Sequence, residues 1–391
     1  MREESGAQPQ GGRLLDRRAF LLNAAQLACA MKLAPAGLFA QGPQNPQDAI
    51  PPAIADLYRK TMVIDGCGGV NNESLDLPLK PEITKQAITS GVTAVNWTIS
   101  LPEFEDTVSY ISYVLGIAEQ DPDHWTIIRR HSDLDRAKRE QKIGIMMGFQ
   151  ETDCLGPKLD RLETFRWLGV RIIQLSYNNR GLYGDGCLEP ANAGLSKLGR
   201  AAVAKMNELG IAIDLSHCGQ RTTAEAIEAS TKPVLFTHTG CAAVHPHPRN
   251  KEDRELRALA DRGGVAGIYF MPYLVVSPIS PSREHVLQHL DHALKICGSD
   301  HVGIGTDGVL DTFPDTPETR KSFAEQMARR KKLGIAAPEE DRPPYSPDLN
   351  RTDRLEIIAA GLSRQGYSSE VIEKILGKNF YRALGEIWGT A

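Results

Sequence analysis

Apolar residues along this chain gather into eight short runs, at 61–68, 91–100, 143–150, 169–177, 210–218, 232–240, 263–272 and 301–309. Each is continuously apolar rather than alternating, which is the pattern of a strand covered on both faces. Between them the apolar period becomes helical. LSKLGRAAVAKMNELG (195–210) repeats Leu198, Ala202, Val203, Met206 and Leu209 on one face and stops at Gly210. TTAEAIEAS, RELRALADRG and REHVLQHLDHALKICG read the same way. Eight strands alternating with helices predict an α/β protein of the (β/α)8 barrel type. An open doubly wound sheet would need a GxGxxG turn after its first strand, and GCGG at 66–69 lacks that spacing.

The flanks read differently. Residues 311–350 are rich in proline and charge, with a helical pattern only in TRKSFAEQMARRKK. A segment of that length after the last strand belongs on the rim, as a lid or a homodimer contact. RTDRLEIIAAGLSRQGYSSEVIEKILGKNFYRALGEIW reads as a C-terminal extension of two helices, with Ser368 or Ser369 capping the second. At the other end, Arg17-Arg18-Ala19-Phe20-Leu21 precedes a weakly apolar, alanine-rich stretch ending near Ala40. That is the pattern of a Tat export signal over 1–40, followed by a linker over 41–55, and it predicts a periplasmic or secreted protein. The barrel domain is expected over 56–391.

Composition removes some partners. With 49 acidic and 45 basic residues the net charge is −4, which offers no concentrated basic surface for nucleic acid. No run of 18 apolar residues is present, so no membrane span is expected. The seven cysteines form no CxxC pair, which excludes a zinc ribbon.

A parallel barrel collects its strand ends at one rim. Those ends are Cys67, Trp97, Gln150, Tyr177, His217, His238, Tyr269 and Asp307. His217 (IAIDLSHCG) and His238 (KPVLFTHTG) end successive strands, the arrangement by which two neutral imidazoles can hold a divalent metal. A third ligand could come from Gln150, Glu151, Asp153 or Cys67. Asp307, in GIGTDG, is placed to accept a proton or bind an ammonium group. Arg249, in the loop after the sixth strand, could clamp a carboxylate. His285, His289 and His292 repeat at helical spacing between the last two strands, which puts them on an outer helix and away from the mouth.

GVRIIQLSYNN, GLSKLGRAAVAKMNELGIAIDLSHCG, PVLFTHTG, RN and HVGIGTDG, in that order, resemble the membrane (renal) dipeptidase family, metallopeptidase family M19. The resemblance runs from DLYRKTMVIDG (56–66) to the C-terminus. It implies a metallo-dependent hydrolase barrel with two zinc ions bridged by a glutamate, cleaving dipeptides with metal-activated water. Position by position, His217 and His238 match two histidines that bind one zinc. Arg249 matches the arginine that holds the substrate carboxylate, and Asp307 the aspartate that contacts the substrate amine and handles protons. The first-strand HxD ligands of the other zinc are replaced by Cys67-Gly68-Gly69, and the bridging glutamate by Gln150. The fourth-strand histidine that polarises the scissile carbonyl is replaced by Tyr177, which can still donate a hydrogen bond to an oxyanion.

The expectation is therefore an exported, dipeptidase-like metallohydrolase acting on a dipeptide or other small amide. It would use one metal ion, zinc or another divalent metal, on His217 and His238, with Gln150 or Cys67 completing the shell. Two other readings keep the same pocket: an enzyme tailoring a small secreted metabolite, or a non-catalytic binder of a zwitterionic molecule.

Overall fold

The structure, a computed structural model, describes residues 48–72 and 75–389. The expected export signal and the first part of the linker lie outside the described residues. Eight parallel strands form the barrel: β1 (Ile64–Gly69), β2 (Ala94–Thr98), β3 (Ile143–Phe149), β4 (Val170–Gln174), β5 (Ala212–Asp214), β6 (Leu235–Thr239), β7 (Val265–Ile268) and β8 (Val302–Ile304). Each pairs with the next, and β8 closes on β1 with Asp65 opposite Ile304. Seven lie within the expected apolar runs, and β1 passes the end of its run by one residue, at Gly69. A short strand, Trp125–Ile127, adds to the start of β3, and Gly308–Val309 pairs with the end of β1.

The strands are buried along almost their whole length, β3 at every position, because helices cover the outside and side chains fill the inside. Crossover helices form where the apolar period changes. Lys197–Leu209 begins at Ser196, whose side chain accepts from Gly199 N, and ends at Gly210, which takes the left-handed φ of 63°. At the N-terminal end of the barrel, Ile64, Met146, Ile172, Leu235 and Val265 pack with Phe380, Ala383, Leu384 and Ile387 of the helix Asn379–Trp388. Those four residues share one face of that helix, so the C-terminus plugs the bottom of the barrel. Higher up, β1, β7 and β8 press towards the Thr237 carbonyl. A Cβ on Gly66, Gly267 or Gly305 would overlap that oxygen, so only glycine allows the approach.

Two boundaries differ from expectation. The linker does not extend to residue 55: a helix runs over Pro52–Lys60, opened by a proline at its first position and held by buried Ile54 and Tyr58. The C-terminal extension contains three helical pieces rather than two: Arg354–Arg364, Ser369–Glu373 and Asn379–Trp388. Lys374–Lys378 interrupts the last two, because Gly377 leaves helical geometry where it packs on the backbone of Met62. Ser368 caps as expected, accepting from Val371 N. No helix among the described residues is long and apolar enough to cross a membrane.

Candidate metal centre and substrate pocket

The rim is ordered by a carboxylate that faces no solvent. Asp214, at the end of β5, accepts from Ser216 N and Thr237 N at 3.0 Å each through Oδ1, and from Thr237 Oγ1 at 2.7 Å through Oδ2. Burial pushes its pKa up, and these donors oppose the push. Ser216 Oγ also donates to Oδ1, so three donors converge on one oxygen and Thr237 Oγ1 on the other, an acceptor set that suits the ionised carboxylate. Thr237 therefore spends its only proton on Asp214. Its Oγ1, 2.8 Å from His238 Nδ1, must accept there, which puts the His238 proton on Nδ1.

His217 is fixed in the same way. Its Nδ1 lies 2.7 Å from Asn178 Oδ1, while Asn178 Nδ2 donates to the Ile335 carbonyl at 3.1 Å. The amide oxygen thus faces the ring, and His217 is also protonated on Nδ1. Burial, with Arg249 nearby, pushes both imidazoles well below their usual pKa, so both are neutral. Their Nε2 atoms are 2.9 Å apart. Two lone pairs face each other there with no proton between them, an arrangement that repels unless a cation sits against both. The donor set fits a divalent metal.

Across the mouth, Cys67, His238 and Asp307 bring a sulfur, a ring nitrogen and a carboxylate oxygen within 4.8 Å of one another. Gln150 presents its amide nitrogen to Cys67 Sγ at 3.0 Å and to Asp307 Oδ1 at 3.4 Å, while its Oε1 is buried without a partner. In this orientation Gln150 offers N–H groups, not a ligand oxygen, to the cluster. Asp307 takes a left-handed φ of 55°, a strained conformation for a residue with a Cβ. Burial raises its pKa to about 7, with Arg249 pulling the other way.

Arg249 is buried, and its Nη1 donates to the Ser216 carbonyl at 2.6 Å. Nε and Nη2 have no nitrogen or oxygen partner among the described residues, and the Cys187 thiol lies within reach of the guanidinium. Those two nitrogens form one edge of the guanidinium, the edge that matches the two oxygens of a carboxylate. Leaving buried donors unpaired costs about 1–3 kcal/mol each, which such a ligand would recover.

Tyr177 stacks on His217 with ring centroids 4.1 Å apart. Its oxygen accepts from Arg330 Nη2 at 3.3 Å, leaving the phenol proton free, and burial raises its pKa to about 12. Arg330 belongs to Pro317–Lys332, the helix inside the expected rim insertion, and pairs with Glu340 at 2.8 Å. The insertion folds over its own barrel as a lid. Asn178 Nδ2 reaches Ile335 O, and His247 Nε2 lies 2.8 Å from Pro338 O. Beneath it is a narrow pocket lined by Tyr177, His217, Arg249, Tyr273, Asp307 and Arg330, among others.

The structure thus places His217, His238, Cys67, Gln150, Asp307, Arg249 and Tyr177 around one mouth. Trp97 does not join them: it points outward from β2 and packs on Trp125 at 6.5 Å. Tyr269 is buried behind the mouth and donates to Asn250 at 2.5 Å. His289 lies in the core, bonded to Cys241 N and Leu274 O, and His292 lies against Asp253. Sequence reasoning missed Asn178, the Asp214–Thr237 pair, Arg330 and Glu340. The polar ending of the fourth strand, SYNN, was the available signal for Asn178.

A sequence profile of the membrane dipeptidases (peptidase family M19) matches residues 80–332. Dipeptidase tcpJ of Claviceps purpurea is 29% identical over 289 residues, covering 73% of this chain and 61% of that protein. Dipeptidase verJ of Clonostachys rogersoniana is 31% identical over 237 residues, covering 59% and 60%. The chain therefore spans about three fifths of the length of these curated relatives. Among solved structures, an amidohydrolase from Pseudomonas aeruginosa superposes with a TM-score of 0.76 at 30% identity, covering 86% of this chain and 99% of its own. The M19 metallopeptidase dipeptidase AC shares the fold, with a TM-score of 0.66 at 21% identity over 86% of this chain and 96% of its own.

Proposed function

The chain belongs to the membrane dipeptidase family, peptidase family M19, and from that premise we propose that it is a dipeptidase-like metallohydrolase working with a single metal ion, zinc or a similar divalent cation. The observation that carries the reading is the pair of Nε2 lone pairs 2.9 Å apart, with both Nδ1 protons committed elsewhere.

His217 and His238 would hold the ion. When bound, a divalent ion at such a site lowers the pKa of water towards 7 and polarises a carbonyl. The chain's own residues do the rest. Arg249 receives the substrate carboxylate on its Nε–Nη2 edge and so fixes the register of the scissile bond. Asp307, at a pKa of about 7, takes and returns a proton near neutrality and faces the substrate amine. Tyr177, with Arg330 behind its oxygen, donates its proton to the charge that develops on the carbonyl oxygen. The lid formed by Pro317–Lys332 and Glu340 excludes water from these contacts.

A zwitterionic dipeptide suits this pocket, because Arg249 and Asp307 offer one site for each terminal charge. Export through a Tat route to the periplasm or beyond is part of the proposal and rests on the Arg17-Arg18 pattern. The test is hydrolysis of a dipeptide panel by the purified protein, with and without chelator and added zinc. Turnover that chelation abolishes and zinc restores is the expected result. A chelated protein that turns over undiminished would overturn the reading.

A further inference from the structure

Two buried aspartates on opposite sides of the barrel hold the same set of bonds. On β5, Asp214 accepts from Ser216 N and, across on β6, from Thr237 N and Oγ1; the residue after Thr237 is His238. On β1, Asp65 Oδ1 accepts from Cys67 N at 3.2 Å and from Thr306 N, just past the end of β8, at 2.8 Å. Its Oδ2 accepts from Thr306 Oγ1 at 2.6 Å, and the residue after Thr306 is Asp307. Each unit thus stands directly before a rim residue that the hydrolase scheme uses.

The first unit fixes the tautomer of His238. The second acts on backbone instead. Asp307 has the left-handed φ of 55°, which a non-glycine residue keeps only where its surroundings impose it. Thr306 has spent its proton on Asp65, so its Oγ1 is free to accept, and Gly308 N donates to it at 3.3 Å. Asp307 N donates to the Cys67 carbonyl at 2.8 Å. The N–H groups of residues 306, 307 and 308 are therefore all tied to β1 or to the threonine that β1 holds. Both peptide groups flanking the Asp307 Cα are pinned. The carboxylate is delivered to the mouth, with Oδ1 3.4 Å from Gln150 Nε2.

We infer that Thr306 and Asp65 are positioning residues for Asp307: the threonine, oriented by the buried carboxylate, locks the strained turn from which Asp307 reaches the substrate. This rests on the role given to Asp307 above and adds the parts that hold it in place. Neither residue lines the pocket, so both act through Asp307. Thr306→Val keeps the shape of the side chain but neither donates nor accepts. It leaves Asp65 Oδ2 and Gly308 N without these partners in a buried setting, which is costly. Residue 307 is then released towards ordinary φ, and its carboxylate swings away from the mouth.

The test compares Thr306→Val with Thr306→Ser in the full chain, with circular dichroism and metal content establishing that each variant is folded and loaded. Thr306→Val should lower kcat for dipeptide hydrolysis about 100-fold and move KM much less, because Arg249 still holds the carboxylate. Thr306→Ser, which keeps the hydroxyl, should restore most of the rate. In an Asp307→Asn background Thr306→Val should add little further loss, since the effect runs through that carboxylate. A threonine with a purely structural role would cost the same in both backgrounds, and that result would overturn the inference. Crystal structures read the same point without turnover: residue 307 should leave the left-handed region in Thr306→Val and keep it in Thr306→Ser. Residue 307 unmoved in Thr306→Val sinks the inference whatever becomes of the hydrolase reading. A parent that hydrolyses no dipeptide sinks that reading alone and leaves the positioning of Asp307 to the crystal structures. If Thr306→Val does not fold, Thr306→Ala, which lacks the same hydroxyl, takes its place.

Discussion

At the bottom of the barrel, Phe380, Ala383, Leu384 and Ile387 close the strands with an apolar plug. At the top, the same eight strands end in Asp214, Thr237, His217, His238, Cys67 and Asp307, and the unpaired atoms of Gln150 and Arg249 lie among them. The bottom has satisfied its surroundings and gains stability from burial. The top has left donors and lone pairs unmet inside a low-dielectric pocket, which is costly unless something binds there. Stability and binding have been assigned to opposite ends of one framework.

Substitutions that cross this division should have opposite signatures. Phe380→Ala removes the centre of the plug and should destabilise the protein by about 3–5 kcal/mol, while leaving the metal affinity of the surviving folded fraction unchanged. Denaturant unfolding and a metal titration read the two effects separately.

Asp307 provides the converse case. Its folded pKa, about 7, lies above the ordinary carboxylate value, so the folded state binds the proton more tightly than the unfolded chain does. In the metal-stripped protein its stabilising contribution is therefore present below about pH 4 and is lost as the pH rises through about 7. The loss should be on the order of 4 kcal/mol. Thermal melting across that window should show a decline that Asp307→Asn flattens.

Arg249→Lys keeps the charge but loses the two-pronged edge. We expect a fall in kcat/KM equivalent to about 1.5–3 kcal/mol, carried mainly by KM. An equal fall with a blocked, carboxylate-free substrate would argue against the clamp. The smallest effect is expected at the outer helix. His292→Ala should change stability by no more than about 0.5 kcal/mol and leave metal content untouched.

The same division explains what could be read from the sequence. The barrel was legible because its strands are buried on both faces and so appear as continuous apolar runs, each followed by a helical period. Trp125–Ile127 escaped because three residues carry too little pattern, and its Trp125 also drew Trp97 away from the mouth. At the rim, His217 and His238 announced themselves by ending apolar runs. Arg330 and Glu340 did not: Arg330 lies in a helical pattern that is polar on every side, Glu340 in the proline-rich stretch after it, and only the fold of that segment carries them to Tyr177. The tautomers of the two imidazoles depend on Asn178, Thr237 and Asp214, and no spacing reveals a hydrogen-bond direction.

The measurement that reaches the centre of this account is elemental analysis of the purified full chain beside its folded His238→Ala variant. A near-stoichiometric divalent ion in the parent that disappears from the variant is what the opposed imidazoles require. A parent that carries no metal after growth with zinc, yet hydrolyses dipeptides, would contradict it.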